Sequence, residues 1–220
     1  MTPVRVAEED GLLVLTFVHP ILTRAALESA RRVLAGHAAG AVAIVVESAH
    51  PSIFLAGAHL GEIAALDAVE SGRYAAEGRR LMAAVAAAPC PVVAAVHGTC
   101  AGGGLDLALA CDRVVASREA RLGHPGIRRG LVTGWGGTAE LAGRVPPVPL
   151  LGLIASGALL PADRAAALGL VDEIAADPRA RARSAARGIA ALDPARLALW
   201  RALRSAGFID RFDARVVHTR

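Results

Sequence analysis

The sequence predicts an α/β fold with a mainly parallel sheet, and two observations predict it. Short apolar runs rich in valine and isoleucine alternate with longer stretches in which apolar residues recur every three to four positions. This alternation is typical of strands joined by crossover helices, which leave the strands parallel. Three consecutive glycines, residues 102–104, also join an apolar run to a helical stretch, at the end of a strand where such folds place their sites.

The N-terminal half begins with a hairpin, because Asp10-Gly11 is a turn signal between two apolar runs. Thr23 is a helix N-cap residue followed by apolar positions at helical spacing, and Pro89 ends a long apolar helix. We therefore expect strands at Val4–Ala7, Leu12–Val18 and Ala41–Val46, helices at Arg24–Ala35 and Asp67–Ala87, and a loop over Ser48–Gly61.

The second half continues the alternation around the glycine triplet. The strand Pro91–Val96 precedes the triplet, and a helix runs from Leu105 to Cys111-Asp112. The further expectations are strands at Arg113–Ala116 and Leu170–Ile174, a mostly irregular segment at Arg121–Gly137, and helices at Thr138–Arg144, Val148–Ala155, Ala162–Leu168, Asp177–Leu192 and Pro194–Ala206. No repeat or linker is visible, so we expect a core domain over residues 1–175 and a C-terminal helical segment over residues 176–220.

The composition excludes several classes of function. Aromatic residues make up 3% of the chain, too few for base-stacking platforms, and the arginines behind the net charge of +4 are scattered, so we expect no nucleic-acid partner. The most apolar run is broken by prolines, so we expect no membrane span. An odd number of cysteines and the absence of a signal pattern favour a reducing, cytoplasmic location.

The stretch around the glycine triplet carries the first functional signal. A glycine turn at a helix N-terminus leaves backbone N–H groups unpaired, and these can hold an anion or an oxygen that becomes one. Asp106 follows Gly103 by three residues and so lies on the same helix face. A carboxylate beside such N–H groups can move protons next to a carbonyl. The alternative is a plain strand–helix junction with an acid in its first turn.

A second motif lies upstream, Phe54-Leu55-Ala56-Gly57-Ala58-His59-Leu60. Together with Ala95-Val96-His97-Gly98-x-x-x-Gly102-Gly103-Gly104, it resembles motifs of the crotonase superfamily, the enoyl-CoA hydratase/isomerase fold. The resemblance covers Val4–Ile174 and implies a crotonase-like (ClpP/crotonase) fold of repeated ββα units with a shortened C-terminal helical region. It continues in order through Leu107-Ala108-x-x-Cys111-Asp112, Leu122-Gly123-x-Pro125, Gly134-Trp135-Gly136-Gly137-Thr138 and Ala165-Ala166-Ala167-Leu168-Gly169-Leu170-Val171.

The resemblance implies an enzyme that acts on an acyl-CoA thioester through an enolate. The N–H groups of Ala58 and Gly103 would form the oxyanion hole, and Asp106 would be the acid/base. Coenzyme A would enter as part of the substrate, without a metal or another cofactor, and the protein would be a homo-oligomer, a trimer or hexamer. The residues expected to contact the substrate are Ala56, His59, Leu60, Gly102, Gly126 and Trp135.

Two positions depart from the family's pair of catalytic glutamates. The first glutamate corresponds to Asp106 and the second to Gly126, which has no side chain. Isomerisation, decarboxylation or assisted dehydration is therefore more natural than hydration by two carboxylates. In the naphthoate-synthase branch a glycine at this position leaves room for bicarbonate, so bicarbonate or a substrate carboxylate beside Gly126 is one interpretation. The rival interpretation is a non-catalytic accessory subunit that binds a thioester or a partner protein.

Several single residues have two interpretations. His59 is either a catalytic base or, as we favour, a loop histidine bonded to backbone. His124 lies beside the position of the second acid and would either compensate for it or serve the loop alone. Trp135 is pocket wall or core, and Cys100 is a packing residue.

Overall fold

The computed structural model describes residues 2–192 and 194–205, and all structural statements refer to these. The strands are β1 Val4–Glu9, β2 Leu12–Phe17, β3 Ile21–Leu22, β4 Ala43–Ser48, β5 Ile53–Leu55, β6 Gly57–Ala58, β7 Val92–Val96, β8 Thr99–Ala101, β9 Arg113–Ala116, β10 Arg121–Gly123, β11 Leu159–Pro161 and β12 Glu173–Ile174. The α-helices are α1 Arg24–His37, α2 Leu60–Ala64, α3 Ala68–Ala86, α4 Gly103–Ala110, α5 Gly137–Arg144, α6 Pro147–Ser156, α7 Ala162–Ala167, α8 Pro178–Ala190 and α9 Pro194–Ser205.

The main sheet has the order β1-β2-β4-β7-β9-β12, in which only the β1–β2 pair is antiparallel within the described residues. A smaller sheet has the order β11-β10-β8-β5, and β3 pairs with β6. The central strands β4 and β7 are buried along their whole length because helices cover both faces of the sheet. The mainly parallel α/β architecture is thus the one that the alternation predicted.

Each face of the main sheet has its own apolar cluster. On one face, leucines of α1, α3 and α4 pack against alternate residues of β2, β4 and β7. On the other face, α8 packs Ala182, Ala186 and Ile189 against Val45 and Val93 of β4 and β7. The two faces take alternate residues of each strand because successive side chains of a strand point in opposite directions.

The longer elements occur where the sequence predicted them. Asp10 turns the hairpin with a φ of 49°, and the Thr23 hydroxyl accepts a hydrogen bond from the Ala26 N–H at the start of α1. Asp67 and Glu70 form a capping box at the start of α3. The Ala68–Ala86 helix therefore begins where this cap places it.

Two segments expected to be loops contain regular structure. The segment Ser48–Gly61 holds β5, β6 and the first residues of α2, and Arg121–Gly137 holds β10 and the 3₁₀ helix Pro125–Arg129. Strands of two or three residues are too short to show an alternating pattern, and lateral pairing stabilises them. The helix α4 begins at Gly103 rather than Leu105, and the last strand shrinks to β12.

At the C-terminus, α9 spans Pro194–Ser205, while Ala206 of the expected helix lies outside the described residues, as do residues 207–220. The division at residue 175 stays a prediction. None of the helices in the described ranges combines the length and the apolar character that crossing a bilayer requires.

Candidate active site

The two glycine-bearing loops predicted to share a site come together. A Cβ placed on Gly57 would lie 2.9 Å from the Gly103 nitrogen and 2.9 Å from the Ala101 carbonyl oxygen. Gly57 also has a φ of 95°, a conformation that residues with a side chain rarely adopt. Glycine at position 57 therefore lets the loop that carries Ala58 approach the start of α4.

Backbone hydrogen bonds to neighbouring segments hold the two loops in place. The Ala56 N–H donates to the Pro20 carbonyl (2.7 Å), and the Gly102 N–H donates to the Gly123 carbonyl (3.0 Å). Gly102 has a φ of 53° and is the N-cap residue of α4. The next N–H group, that of Gly103, has no acceptor among residues 2–192 and 194–205. The N-terminus of α4 thus offers an unpaired donor where the helix dipole favours negative charge.

Asp106 lies one helical turn after Gly103 and is buried, with 1% of its surface exposed. The Thr133 hydroxyl donates a hydrogen bond to its Oδ2 atom. The Oδ1 atom is buried without a partner at hydrogen-bond geometry, and His124 Nε2 lies 3.3 Å from it. One oxygen of the carboxyl is therefore held by a hydrogen bond, and the other can still accept one.

Burial determines the protonation of this carboxyl. Removal from water raises the pKa of Asp106 to about 7, because an apolar environment disfavours the charged form. The Thr133 hydroxyl and the Gly137 backbone N–H oppose this rise, and the charge of Glu140 adds to it. A carboxyl with a pKa near 7 is half protonated at neutral pH and can both give and take a proton.

Trp135 packs against the start of α4. The ring is buried and lies where a Cβ on Gly103 or on Gly78 of α3 would collide with it. The ring centroid of Tyr74 is 5.7 Å away, and the Tyr74 hydroxyl donates to the Leu22 carbonyl (3.4 Å). Burial raises the pKa of Tyr74 to about 12, so this phenol stays neutral. Trp135 is thus both a wall of the candidate site and part of the core.

The other predicted site residues divide into two groups. Gly102 and Ala56 lie at the meeting point of the loops, where a Cβ on Gly102 would be 3.8 Å from the Ala56 carbonyl oxygen. Leu60 is 45% exposed, and His59 is exposed and caps α2 by accepting a hydrogen bond from the Glu62 N–H (3.0 Å). This contact is the one expected of a loop histidine bonded to backbone, and a role of His59 in substrate binding stays a prediction.

Gly126 lies in the 3₁₀ helix rather than at the meeting point of the loops. A Cβ on Gly126 would lie 3.1 Å from the Leu131 carbonyl oxygen, and the nearby Arg128 donates to the Ser156 carbonyl (3.0 Å). Bicarbonate or a substrate carboxylate beside Gly126 stays a prediction.

Sequence reasoning missed two residues that define the site, Thr133 and Gly137. A Cβ on Gly137 would collide with Asp106 Oδ1, so only glycine fits there. Nothing in the local sequence shows that the Thr133 hydroxyl reaches a carboxyl on α4.

The chain matches a known protein family over most of its length. The family model described as enoyl-CoA hydratase/isomerase matches residues 18–205, which include every residue of the site. The chain belongs to the enoyl-CoA hydratase/isomerase family. The resemblance to the crotonase superfamily is thereby confirmed.

Relatives within this family agree on the fold. The chain is 42% identical over 132 residues to the fatty acid oxidation complex subunit alpha of Vibrio cholerae, a match that covers 59% of this chain and 19% of that protein. The chain thus spans about a fifth of the length of such curated relatives. An enoyl-CoA hydratase from Bacillus anthracis superposes with a TM-score of 0.85 at 26% identity, covering 97% of this chain and 86% of the other. The enoyl-CoA hydratase from Thermoplasma volcanium superposes with a TM-score of 0.87 at 24% identity over 94% and 85%, which shows the fold.

Two cavities of the described part of the chain lie away from Asp106. They have volumes of about 400 and 230 Å³, and one lies beside Arg5 and Arg179 and the other beside Arg144 and Arg201. Neither reaches Asp106. Within the described ranges, three or more His, Cys, Asp or Glu side chains do not come together in a way that could hold a metal ion.

Proposed function

We propose that this family member acts on an acyl-CoA thioester through an enolate, with Asp106 as the proton-transfer group. The N–H groups of Ala58 and Gly103 would donate to the thioester oxygen. The observation that carries the proposal is the placement of a buried carboxyl, with a pKa of about 7, one helical turn after the unpaired N–H of Gly103.

The chemistry follows from these positions. Ionised Asp106 takes a proton from the carbon next to the thioester, the C–H bond breaks, and its electron pair moves into the enolate. The two backbone donors stabilise the negative oxygen, and the loss of one such donor typically costs about 3 kcal/mol of barrier. Protonated Asp106 then returns the proton to a different carbon, and the double bond has moved.

One carboxyl suits this reaction better than hydration. The family's second acid has no counterpart at Gly126, and the Leu131 backbone lies next to that glycine. Concerted addition of water needs both an acid and a base on the same water molecule. We therefore propose isomerisation, decarboxylation or assisted dehydration, with coenzyme A as part of the substrate.

Proton exchange tests this proposal directly. The purified protein is incubated in D₂O with a panel of enoyl-CoA and malonyl-type thioesters, and deuterium at the carbon is followed by mass spectrometry. We expect exchange with at least one thioester, and Asp106→Asn lowers its rate about 100-fold or more. Asp163→Asn is the matched control, because Asp163 is exposed on α7 and should leave the rate unchanged. Equal rates for both variants would refute the role of Asp106.

A second candidate function is a non-catalytic subunit that binds a thioester or a partner protein. It is favoured by the burial of Asp106, whose side chain is fully covered, and by the packing of Trp135 against Gly103. Calorimetry with a non-reactive acyl-CoA analogue separates the two candidates. Binding without exchange for any thioester of the panel would support the accessory function. A homo-oligomer and a cytoplasmic location stay predictions.

A further inference from the structure

A histidine faces the available oxygen of Asp106. The His124 Nε2 atom lies 3.3 Å from Asp106 Oδ1. Each of these atoms is buried and has no partner at full hydrogen-bond geometry within the described part of the chain, although the Gly137 backbone N–H also acts on the Asp106 carboxyl. Two buried polar atoms without partners are costly, and a proton held between them would satisfy both at once.

The fold brings this pair together through three elements. His124 directly follows β10, whose last residue, Gly123, accepts the hydrogen bond from Gly102 at the start of α4. Gly137 begins α5 and lies against both side chains, because a Cβ there would collide with Asp106 Oδ1 and lie 3.2 Å from His124 Cε1. Glycine at 137 therefore leaves just enough room for the two groups to meet.

We propose that His124 and Asp106 hold one proton between Nε2 and Oδ1, and that His124 is the second proton-transfer group of this site. The catalytic part of this inference rests on the proposed function, whereas the shared proton does not. His124 thus takes the place of the second acid, for which Gly126 has no side chain.

The surroundings of Asp106 and His124 allow only the aspartate of the pair to be charged near pH 7. Burial lowers the pKa of His124 to about 4, so its imidazole is neutral at pH 7. The other ionisable groups that act on Asp106 are Glu140 of α5, half exposed, and Cys100 of β8, whose buried thiol has a raised pKa and stays neutral. The titration near pH 7 therefore belongs to the shared proton rather than to a charged histidine.

The proton balance has two states. With Asp106 ionised, Nε2–H of neutral His124 donates to Oδ1. With Asp106 protonated, the shared proton lies on Oδ1 and faces unprotonated Nε2, while Nδ1 carries the proton of neutral His124. The first state becomes the second when Nδ1 takes a proton from solvent and the Nε2 proton passes to Oδ1. In the reverse direction the Oδ1 proton passes to Nε2, Nδ1 releases its proton to solvent, and Asp106 is ionised again.

Nuclear magnetic resonance of the substrate-free protein tests the pair without any turnover. In ¹⁵N-histidine-labelled protein, we expect the His124 Nε2 signal to change from unprotonated to protonated as the pH rises through about 7, without imidazolium between about pH 5 and pH 9. Asp106→Asn should abolish this change. A His124 that keeps one tautomer, or that charges near pH 6.5 like an ordinary histidine, would overturn the inference.

Kinetics tests the catalytic part. Glutamine has a similar reach and can still hydrogen-bond to Asp106 but cannot pass a proton, so His124→Gln should lower kcat about 10- to 100-fold and change KM less than about 3-fold. His37→Gln, at the exposed end of α1, is the matched control and should change neither. Unchanged kcat and pH profile in His124→Gln would refute relay by His124.

The two proposals fail in different ways. If the unaltered protein exchanges no thioester proton, the proposed function fails, and the tautomer change still decides whether the pair exists. If exchange depends on Asp106 but the tautomer of His124 does not change, the pair is refuted while the proposed function stands. The titration of the unaltered protein also does not depend on the folding of any variant.

Discussion

The Thr133 hydroxyl donates a hydrogen bond to Asp106 Oδ2 and so joins the loop before α5 to the first turn of α4. This bond fixes one oxygen of a carboxyl that is otherwise surrounded by apolar groups. It also favours the charged form and thereby limits the rise in the pKa that burial causes.

Removal of this hydroxyl should move the protonation of Asp106 to higher pH. Thr133→Val keeps the shape of the side chain but loses the donor, so we expect the Asp106 pKa to rise by about one unit from its value near 7. The pKa is measured from the ¹³C signal of labelled aspartate. Thr138→Val is the control, because Thr138 lies in the first turn of α5, where no side chain caps the helix, and it is not among the groups that act on Asp106. A fall in the Asp106 pKa would contradict this role of Thr133.

The buried carboxyl should make stability depend on pH. Because the folded-state pKa of Asp106, about 7, is above its ordinary value of 3.8, the unfolded chain ionises first as the pH rises. The contribution of this carboxyl to stability is therefore fully present below about pH 4 and is lost as the pH rises to about 7, by on the order of 4 kcal/mol.

Asp106→Asn removes this pH-dependent contribution to stability. The stability of this variant relative to the unaltered protein should increase between pH 4 and pH 8, as measured by urea unfolding at both values. Asp163→Asn should show no such trend. A constant difference for Asp106→Asn would mean that this carboxyl titrates at an ordinary pH.

Two glycines of α3, Gly72 and Gly78, allow the same substitution to be compared in two different surroundings. Alanine at an exposed helical glycine stabilises by up to about 1 kcal/mol, and we expect this for Gly72→Ala, because a Cβ there meets nothing within 4 Å. A Cβ at Gly78 would collide with the Trp135 ring, so Gly78→Ala should destabilise by about 2 kcal/mol. Both are measured by urea unfolding. Equal stabilisation by the two variants would show that Trp135 does not lie against α3.

Arg201 should contribute strongly to stability, because it connects α9 to the main body of the fold. Its guanidinium donates to both oxygens of Asp112 (2.7 Å each) and to the carbonyls of Ala88 (2.9 Å) and Cys90 (3.0 Å). Arg201→Met leaves the mostly buried Asp112 without this partner, so we expect a loss of about 3 kcal/mol.

Arg32→Met is the control for this variant. Arg32 is exposed on α1 and, among the described residues, pairs only with Glu28 one turn away, so the loss should stay below about 0.5 kcal/mol. Thermal unfolding of both variants gives the comparison. A similar small loss for Arg201→Met would mean that α9 does not depend on the ion pair.

The elements that could be predicted are those whose signals are local. The Thr23 cap, the Asp10-Gly11 turn and the long α3 helix each depend on neighbours in the chain, and each occurs where expected. The short strands β5, β6, β8 and β10 could not be predicted from periodicity, because lateral pairing rather than local pattern stabilises them. The helix α4 begins two residues before the expected Leu105 for a related reason. Glycines 103 and 104 have low helix propensity, and tertiary contacts hold them in the helix.

The sequence by itself determined the family, the alternation of strands and helices, and the spacing that places Asp106 one turn after Gly103. Only the tertiary structure decided that Thr133, His124 and Gly137 meet at that carboxyl and that Trp135 packs against Gly103. The physical reason is that helical spacing depends on residues a few positions apart. The burial and hydrogen bonding that determine the charge of Asp106 come from segments that are distant in the chain and adjacent in the fold.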